Sequence, residues 1–319
     1  MSMNTPESPT PSQRPKIIIT NKNIKLWAYL DITNPLVAWE VAIGRICSAD
    51  DPSRKIYAAS LWFYSLMRRL SKDGLDRRFL NELLLEQARL QTHPDAVSRL
   101  RGVYFFESEE IANAAVARWG IPQNRRFISS VNFSANALTQ VDSEWITWKL
   151  KSEDRDWMPR YWAGETYGER PLTEVLASGI GLIENMELRN EAVRWIYQNW
   201  PTSTPLLSMA ACAIRESVTL GIAEFETVGL ISPVLTVGNG IIQGKHVINT
   251  RALATNQAEI IKALEACRAR GEYLPWIVDP DNDVLFRVPD LSSFNFEIRD
   301  TKAAETLITV HDASISSKS

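Results

Sequence analysis

Residues Arg101 to Gly120 read RGVYFFESEEIANAAVARWG, and this stretch decides the fold class. Val103 to Phe106 is a short, dense run of β-branched and aromatic residues, the composition of a strand. Ser108 stands where an N-cap belongs, and Glu109 and Glu110 follow in the first turn, where a helix dipole favours acids. Ile111, Ala112, Ala115, Val116 and Trp119 then form one helical stripe, and Gly120 suits the C′ position. A strand, a tight turn and an amphipathic helix in succession predict a chain that mixes both element types.

Working outward, Lys25 to Ile32 (KLWAYLDI) is expected as a first strand. Arg54 to Leu70 carries Ile56, Ala59, Phe63, Leu66, Met67 and Leu70 at helical spacing, and Phe79 to Leu90 is a second helix closed by His93-Pro94. Phe127 to Ser134 puts Phe127, Val131 and Phe133 on one face of a strand, and Glu144 to Leu150 (EWITWKL) is expected as another. Arg160 to Asn185 reads as loop and strand, Met186 to Trp200 as a helix, and Thr204-Pro205 opens a helix running to about Gly221. Ser232 to Val237 and Ile241 to Asn249 flank Gly238-Asn239-Gly240, the pattern of a β-hairpin. A helix over Asn256 to Arg270 follows, then a second hairpin in which Trp276 to Val278 and Val284 to Val288 flank DPDND. The expectation is an α+β protein with a split, mixed or antiparallel sheet core and flanking helices. Residues 1–22 are read as a disordered leader, 23–200 as the core, 201–300 as an α/β extension with hairpins and a helix, and 301–319 as a tail.

Composition narrows the function classes. The 319 residues are 45% hydrophobic, enough for a sizeable core, and 35 basic against 38 acidic residues give a net charge of −3. That balance argues against nucleic-acid binding through bulk charge. No apolar run reaches the length of a membrane span, and the opening MSMNTPESPTPSQRPK lacks the apolar region of a secretory signal. Cys47, Cys212 and Cys267 are odd in number and widely spaced, so neither a disulfide framework nor a zinc site follows, and a reducing cytoplasm is expected. Eleven tryptophans are many for this length; they serve either as core anchors or as rings lining a ligand pocket.

Several catalytic patterns are excluded. GNGIIQGK at Gly238 to Lys245 has the wrong spacing for a phosphate loop and sits between two strands, away from any helix N-terminus. Only His93, His246 and His311 are present, and no H-E-x-x-H, C-x-x-C or G-x-S-x-G occurs. No metal site is expected, and any catalysis would rest on carboxylates, hydroxyls, aromatics and arginines.

Four segments are too polar and aromatic for plain scaffold: Asp51-Pro52-Ser53-Arg54; the strand and turn around Arg101, Tyr104, Phe106 and Ser108; Asp156-Trp157 through Tyr161-Trp162-Ala163-Gly164; and Pro171 to Leu176. Over about residues 40–185 this arrangement resembles the ADP-ribosyltransferase-like superfamily, in particular bacterial and phage members. The resemblance rests on Glu40, Arg45 and Pro52-Ser53-Arg54 before an apolar helix, on Tyr104 to Trp119, and on Tyr161-Trp162-Ala163-Gly164 followed by Glu174 before an apolar strand.

The resemblance implies cleavage of the nicotinamide–ribose bond of NAD⁺ through an oxocarbenium-like transition state. In that chemistry Glu174 is the catalytic carboxylate, and Glu165 and Glu169 are its rivals. Tyr104, Tyr161 and Trp162 would flank the nicotinamide, Arg54 or Arg101 would pair with the diphosphate, and Ser108 would position the ribose or hold Glu174. The partners implied are NAD⁺ and an unidentified macromolecular acceptor or protein partner, with no membrane and with a homo-oligomer allowed. A toxin, a defence factor or a phage-delivered effector would suit the pattern. Leu172, two before Glu174, departs from the Glu or Gln of arginine-modifying members, and Ser129-Ser130 only partly replaces the Ser-Thr-Ser strand of the toxins.

Two other readings compete. One is a non-catalytic interaction protein that uses an α+β scaffold as a platform. The other is a glycosidase-like hydrolase, which needs two carboxylates about 5–10 Å apart across a cleft. The transferase reading requires Arg54 or Arg101, Tyr104, Trp162 and Glu174 to line one cleft.

Overall fold

A computed structural model of the chain describes residues 17–49, 57–271 and 287–316. The run of β-branched residues from Ile17 opens β1 (Ile17–Tyr29). Asn34 caps α1 (Pro35–Ile43), accepting from the Leu36 amide at 3.1 Å. The short strands β2 (Arg45–Cys47) and β3 (Tyr57–Ala58) follow. Ser60 caps α2 (Leu61–Asp73), and Asp76 caps α3 (Arg77–Thr92). The legible unit of the sequence forms as expected: β4 (Val103–Phe105), the Ser108 cap, and α4 (Glu109–Arg118). Then come β5 (Ile128–Asp142), α5 (Glu144–Lys149), α6 (Trp157–Trp162), β6 (Thr173–Ile183), α7 (Met186–Asn199) and α8 (Thr204–Leu220). The described chain closes with β7 (Ile231–Gly238), β8 (Ile241–Ile248), α9 (Arg251–Thr255), α10 (Gln257–Ala269), β9 (Phe296–Arg299) and α11 (Thr301–Ser316).

These elements make an α+β fold with two antiparallel sheets. The first runs β1-β5-β6-β2. β2 pairs with β6 at Ile180 to Leu182, and β4 pairs with it at Val175 to Ala177, so the two lie end to end along one edge of β6. Phe106 exchanges two backbone hydrogen bonds with Trp27 of β1, at 2.7 and 2.9 Å, which curls the sheet back toward its first strand. The second sheet runs β3-β7-β8-β9. Its central turn, Asn239-Gly240, has φ of 52° and 71°, the left-handed pair that a type I′ hairpin requires.

Helices cover both sheets. α1, α7, α8 and α10 share one apolar cluster with Val131, Phe133 and Ala177 of the first sheet. α3, α5 and α6 bury Trp145, Trp157 and Trp162 against Val141 and Leu176. α2 and α11 cover the second sheet through Phe63, Met67, Leu307 and Val310. The expected boundary near residue 200 falls between α7 and α8, and both helices pack on α1. No described helix is long and apolar enough to cross a membrane.

Five details differ from the sequence reading. Tyr57–Ala58, inside the expected helix Arg54 to Leu70, is a strand paired with β7, and the helix starts only after the Ser60 cap. Trp157–Trp162 is a helix that reaches into the stretch from Arg160 read as loop and strand. Glu144 to Leu150 is a helix rather than a strand, because Asp142 Oδ1 accepts the Glu144 amide at 3.0 Å and starts a turn. Residues 301–316 are a helix rather than a tail, because Ala303, Ala304, Leu307 and Val310 form a stripe that the second sheet buries. Residues 17–22, assigned to the leader, belong to β1. Trp276 to Val278, most of Val284 to Val288, and the leader before residue 17 lie outside the described residues.

Gly179 fixes the middle of β6. Its φ is +141°, a Cβ built there would lie 2.1 Å from the Ser134 carbonyl oxygen, and its amide donates to Ser48 Oγ at 2.9 Å. Gly179→Ala is expected to cost about 2–3 kcal/mol through backbone strain and that clash. Urea unfolding measures it, and an unchanged midpoint would refute the assignment.

Candidate functional site

Between the two sheets lies a cavity of about 660 Å³, within the size range of small-molecule sites. Its walls come from α1, β2, the start of α2, the 99–106 segment, α5 and the start of β7. Trp62, Tyr104, Phe106 and Trp119 supply aromatic surface, and Arg69, Arg78, Arg101 and Lys151 supply positive charge. Arg78 is paired with Asp76 at 2.7 Å, whereas Arg69 and Lys151 are exposed. Two buried carboxyls also line the cavity, Glu174 and Glu40.

Strand periodicity sets Glu174 beside Tyr104. Tyr104 is registered opposite Leu176, two residues from Glu174, so all three side chains stand on one face of the sheet. Behind them is Arg99, a fully buried guanidinium. It donates to Glu82 through Nη2 at 3.2 Å and Nε at 3.3 Å, to Glu174 Oε2 at 3.3 Å, and to the Tyr161 hydroxyl at 3.0 Å. The rings of Tyr104, Tyr161 and Trp62 surround it at 5.2, 5.7 and 5.9 Å. Trp62 Nε1 donates to Glu82 at 3.1 Å, and the Tyr104 hydroxyl donates to the Arg99 carbonyl at 2.6 Å.

The electrostatics follow from this crowding. Burial works against the charge on Arg99, but Glu82, Tyr104, Tyr161 and Glu174 overcome it and hold its pKa well above the ordinary value. Burial raises Glu174 to about 7, with Arg99 pulling the other way and Glu82 adding to the rise. Glu174 therefore changes charge near neutrality, in the range useful for acid–base or electrostatic catalysis. Glu40 is raised to about 8 by burial alone, and its Oε2 has no hydrogen-bond partner among the described residues.

The residues singled out in the sequence divide. Glu174, Tyr104 and Arg101 line the cavity together, and Arg101 also donates to Ser314 Oγ at 2.7 Å. Tyr161 stands behind Glu174 in the core, and Trp162 is a fully buried anchor whose indole donates to the Leu85 carbonyl at 2.8 Å. Neither lines the cavity, because α6 turns both into the cluster around α3, so of the four positions expected to share one cleft Arg101, Tyr104 and Glu174 do and Trp162 does not. Ser108 is the N-cap of α4, 3.3 Å from the Ile111 amide, and is also outside the lining. Arg54 lies outside the described residues. Glu165 pairs with Arg160 at 2.7 Å away from the cavity, and Glu169 is exposed. Sequence reasoning missed Arg99 and Glu82. The signal for Glu82 was its place with Glu86 and Arg89, charged residues at the helical spacing of the buried Phe79 and Leu83.

Among the described residues no group of three or more His, Cys, Asp or Glu could hold a metal ion. Compared with known proteins, the chain matches no family model, no curated protein and no solved structure. The function therefore has to be argued from the cavity.

Two stability measurements probe this description. Arg99→Met strands Glu82 and Glu174 without a counter-charge and should cost about 3–5 kcal/mol, read from urea midpoints; a loss below about 1 kcal/mol would mean the cluster is not formed. For Glu40 the folded-state pKa of about 8 lies above the ordinary 4.5, so the folded protein holds a proton that the unfolded chain releases. Its contribution is greatest below pH 4.5 and falls as pH rises to about 8, by on the order of 4 kcal/mol. Glu40→Gln should remove that part of the pH dependence, and parallel stability–pH curves for the two proteins would contradict it.

Proposed function

We propose that the cavity binds NAD⁺ and that Glu174 promotes cleavage of its nicotinamide–ribose bond, with ADP-ribose passing to an acceptor or to water. One observation carries this reading: Glu174, Tyr104 and Arg101, three of the site residues expected from the sequence, line one cavity of suitable size together with further basic side chains. The basic side suits a diphosphate, which arginine pairs through its planar fork. The rings of Tyr104 and Trp62 suit flat heterocycles.

In this reaction the C–N bond breaks heterolytically. The electron pair leaves with nicotinamide and cancels the pyridinium charge, and the ribose carbon becomes oxocarbenium-like. Ionised Glu174 stabilises that charge and accepts a hydrogen bond from a ribose hydroxyl. An acceptor oxygen or nitrogen then bonds to the carbon and gives up its proton. Tyr161 is a positioning residue that acts through Arg99, and Arg99, which also reaches the cavity wall, holds Glu174 in place.

The glycosidase-like reading finds less support. The carboxylate nearest Glu174 is Glu82, which shares Arg99 with it but does not line the cavity. Glu40 does line it, but its helix leads into Gly44, whose carbonyl accepts from Ile183 at 3.0 Å. Ile183 ends β6 whereas Glu174 stands near its start, so the Gly44 turn that follows Glu40 meets the end of the strand remote from Glu174.

Nicotinamide release by the purified chain tests the proposal. Wild type should turn over NAD⁺ with a rate that rises through about pH 7 as Glu174 ionises. Glu174→Gln should lower that rate by about 100-fold or more with the fold retained. Absence of release with and without cell lysate, or equal rates for wild type and Glu174→Gln, would overturn it.

A further inference from the structure

Glu40 is a cavity carboxyl that the proposed cleavage does not use. It shares the wall with Asn34 and Val37 of its own helix region and with Ile46, Leu230 and Ile231 opposite. It is only 6% exposed, and Oε2 meets no hydrogen-bond partner among the described residues. No neighbouring charge contributes to the shift of Glu40, and three charged groups on the elements packed around α1 have partners of their own. Arg45 of β2 donates to the Glu226 carbonyl, Arg189 of α7 to the Ile43 carbonyl, and Glu216 of α8 pairs with Arg270. Cys47 and Asp31 share the lining with Glu40, yet burial alone accounts for its shift.

A buried carboxyl in this setting is a neutral acid, one O–H donor beside one carbonyl acceptor. Its terminal torsion is broad, so both oxygens can align with a planar partner. We infer that Glu40 is a binding residue that pairs through its O–H and C=O with a flat ligand edge offering one acceptor and one N–H donor side by side. A primary carboxamide has such an edge, and so has the amino-nitrogen side of adenine. The ligand's identity rests on the reading of the preceding section, since NAD⁺ carries one such edge at each end. The turn after Glu40 meets the end of β6 remote from Glu174, which favours the adenine edge, because cleavage holds the nicotinamide end at Glu174.

Calorimetric titration of the full chain with ADP-ribose and with nicotinamide mononucleotide tests this. Wild type should bind ADP-ribose at least tenfold more weakly at pH 9 than at pH 6.5, as ionised Glu40 loses its donor. Glu40→Gln keeps a donor and an acceptor, so it should match wild type at pH 6.5 and show no such decline. Glu40→Met should bind at least tenfold more weakly while melting no lower than wild type. ADP-ribose with the adenine edge closed by a 1,N6-etheno bridge should behave toward wild type as ADP-ribose does toward Glu40→Met. The same pattern on nicotinamide mononucleotide instead would support the paired edge and assign it to the carboxamide. Equal affinity of Glu40→Met and wild type for both ligands, undiminished binding of the etheno compound with no response to mononucleotide, or no binding of either ligand by wild type would overturn the inference. Turnover is read at Glu174→Gln and edge pairing at Glu40→Gln and Glu40→Met, so the cleavage reading and the edge pairing fail separately.

Discussion

The buried guanidinium of Arg99 is the constraint on which the site depends. A charge removed from water must be met on every side, and here four elements meet it: α3 with Glu82, β6 with Glu174, α6 with Tyr161 and β4 with Tyr104. The same short segment ties the two halves of the cavity. The Leu100 carbonyl accepts the Ser60 amide at 2.7 Å, and the Arg101 carbonyl accepts the Ala49 amide at 2.8 Å. Moving Arg99 would therefore move the start of α2 and the end of β2 along with the carboxylates. One guanidinium also faces two carboxylates. Glu82 holds it through two nitrogens and Glu174 through one, and burial leaves Glu174 at about 7.

Whole-chain charge hides this local order. A net charge of −3 suggests no affinity for anions, yet Arg69, Arg78, Arg101 and Lys151 line one cavity. Fields in a cleft are set by the charges lining it and by its low-dielectric walls rather than by the sum over the chain.

The fold was legible where local signals agreed. At Val103 to Gly120 the strand composition, the Ser108 cap, the acidic first turn and the apolar stripe all point the same way, and the hairpin at Asn239-Gly240 is fixed by backbone conformation. It was illegible where a short apolar run fits either period. Residues 144–150 read as a strand until the Asp142 side chain is seen to start a helix. Residues 301–316 read as a tail because their apolar stripe is weak until the second sheet supplies a partner. Within the site, Glu174 and Tyr104 stood out because they sit on adjoining strands near a polar motif. Trp162 misled because a tryptophan next to tyrosine and glycine looks like a ligand shelf, while its indole is satisfied by the Leu85 carbonyl. Arg99 was invisible for a different reason: its partners are 17, 62 and 75 residues away in the chain, and no local pattern records them.

The two cavity carboxyls show how environment divides one residue type between two tasks. Glu174 is buried beside a cation, and Glu40 is buried without one. Near neutrality the first can carry negative charge and the second holds its proton, so the same cavity offers an anion at one pole and a neutral donor–acceptor pair at the other. A leucine or methionine in place of Glu40 would fill similar space without the cost of an unsatisfied polar group. Packing therefore does not account for a carboxyl at that position, whereas recognition of a polar edge does.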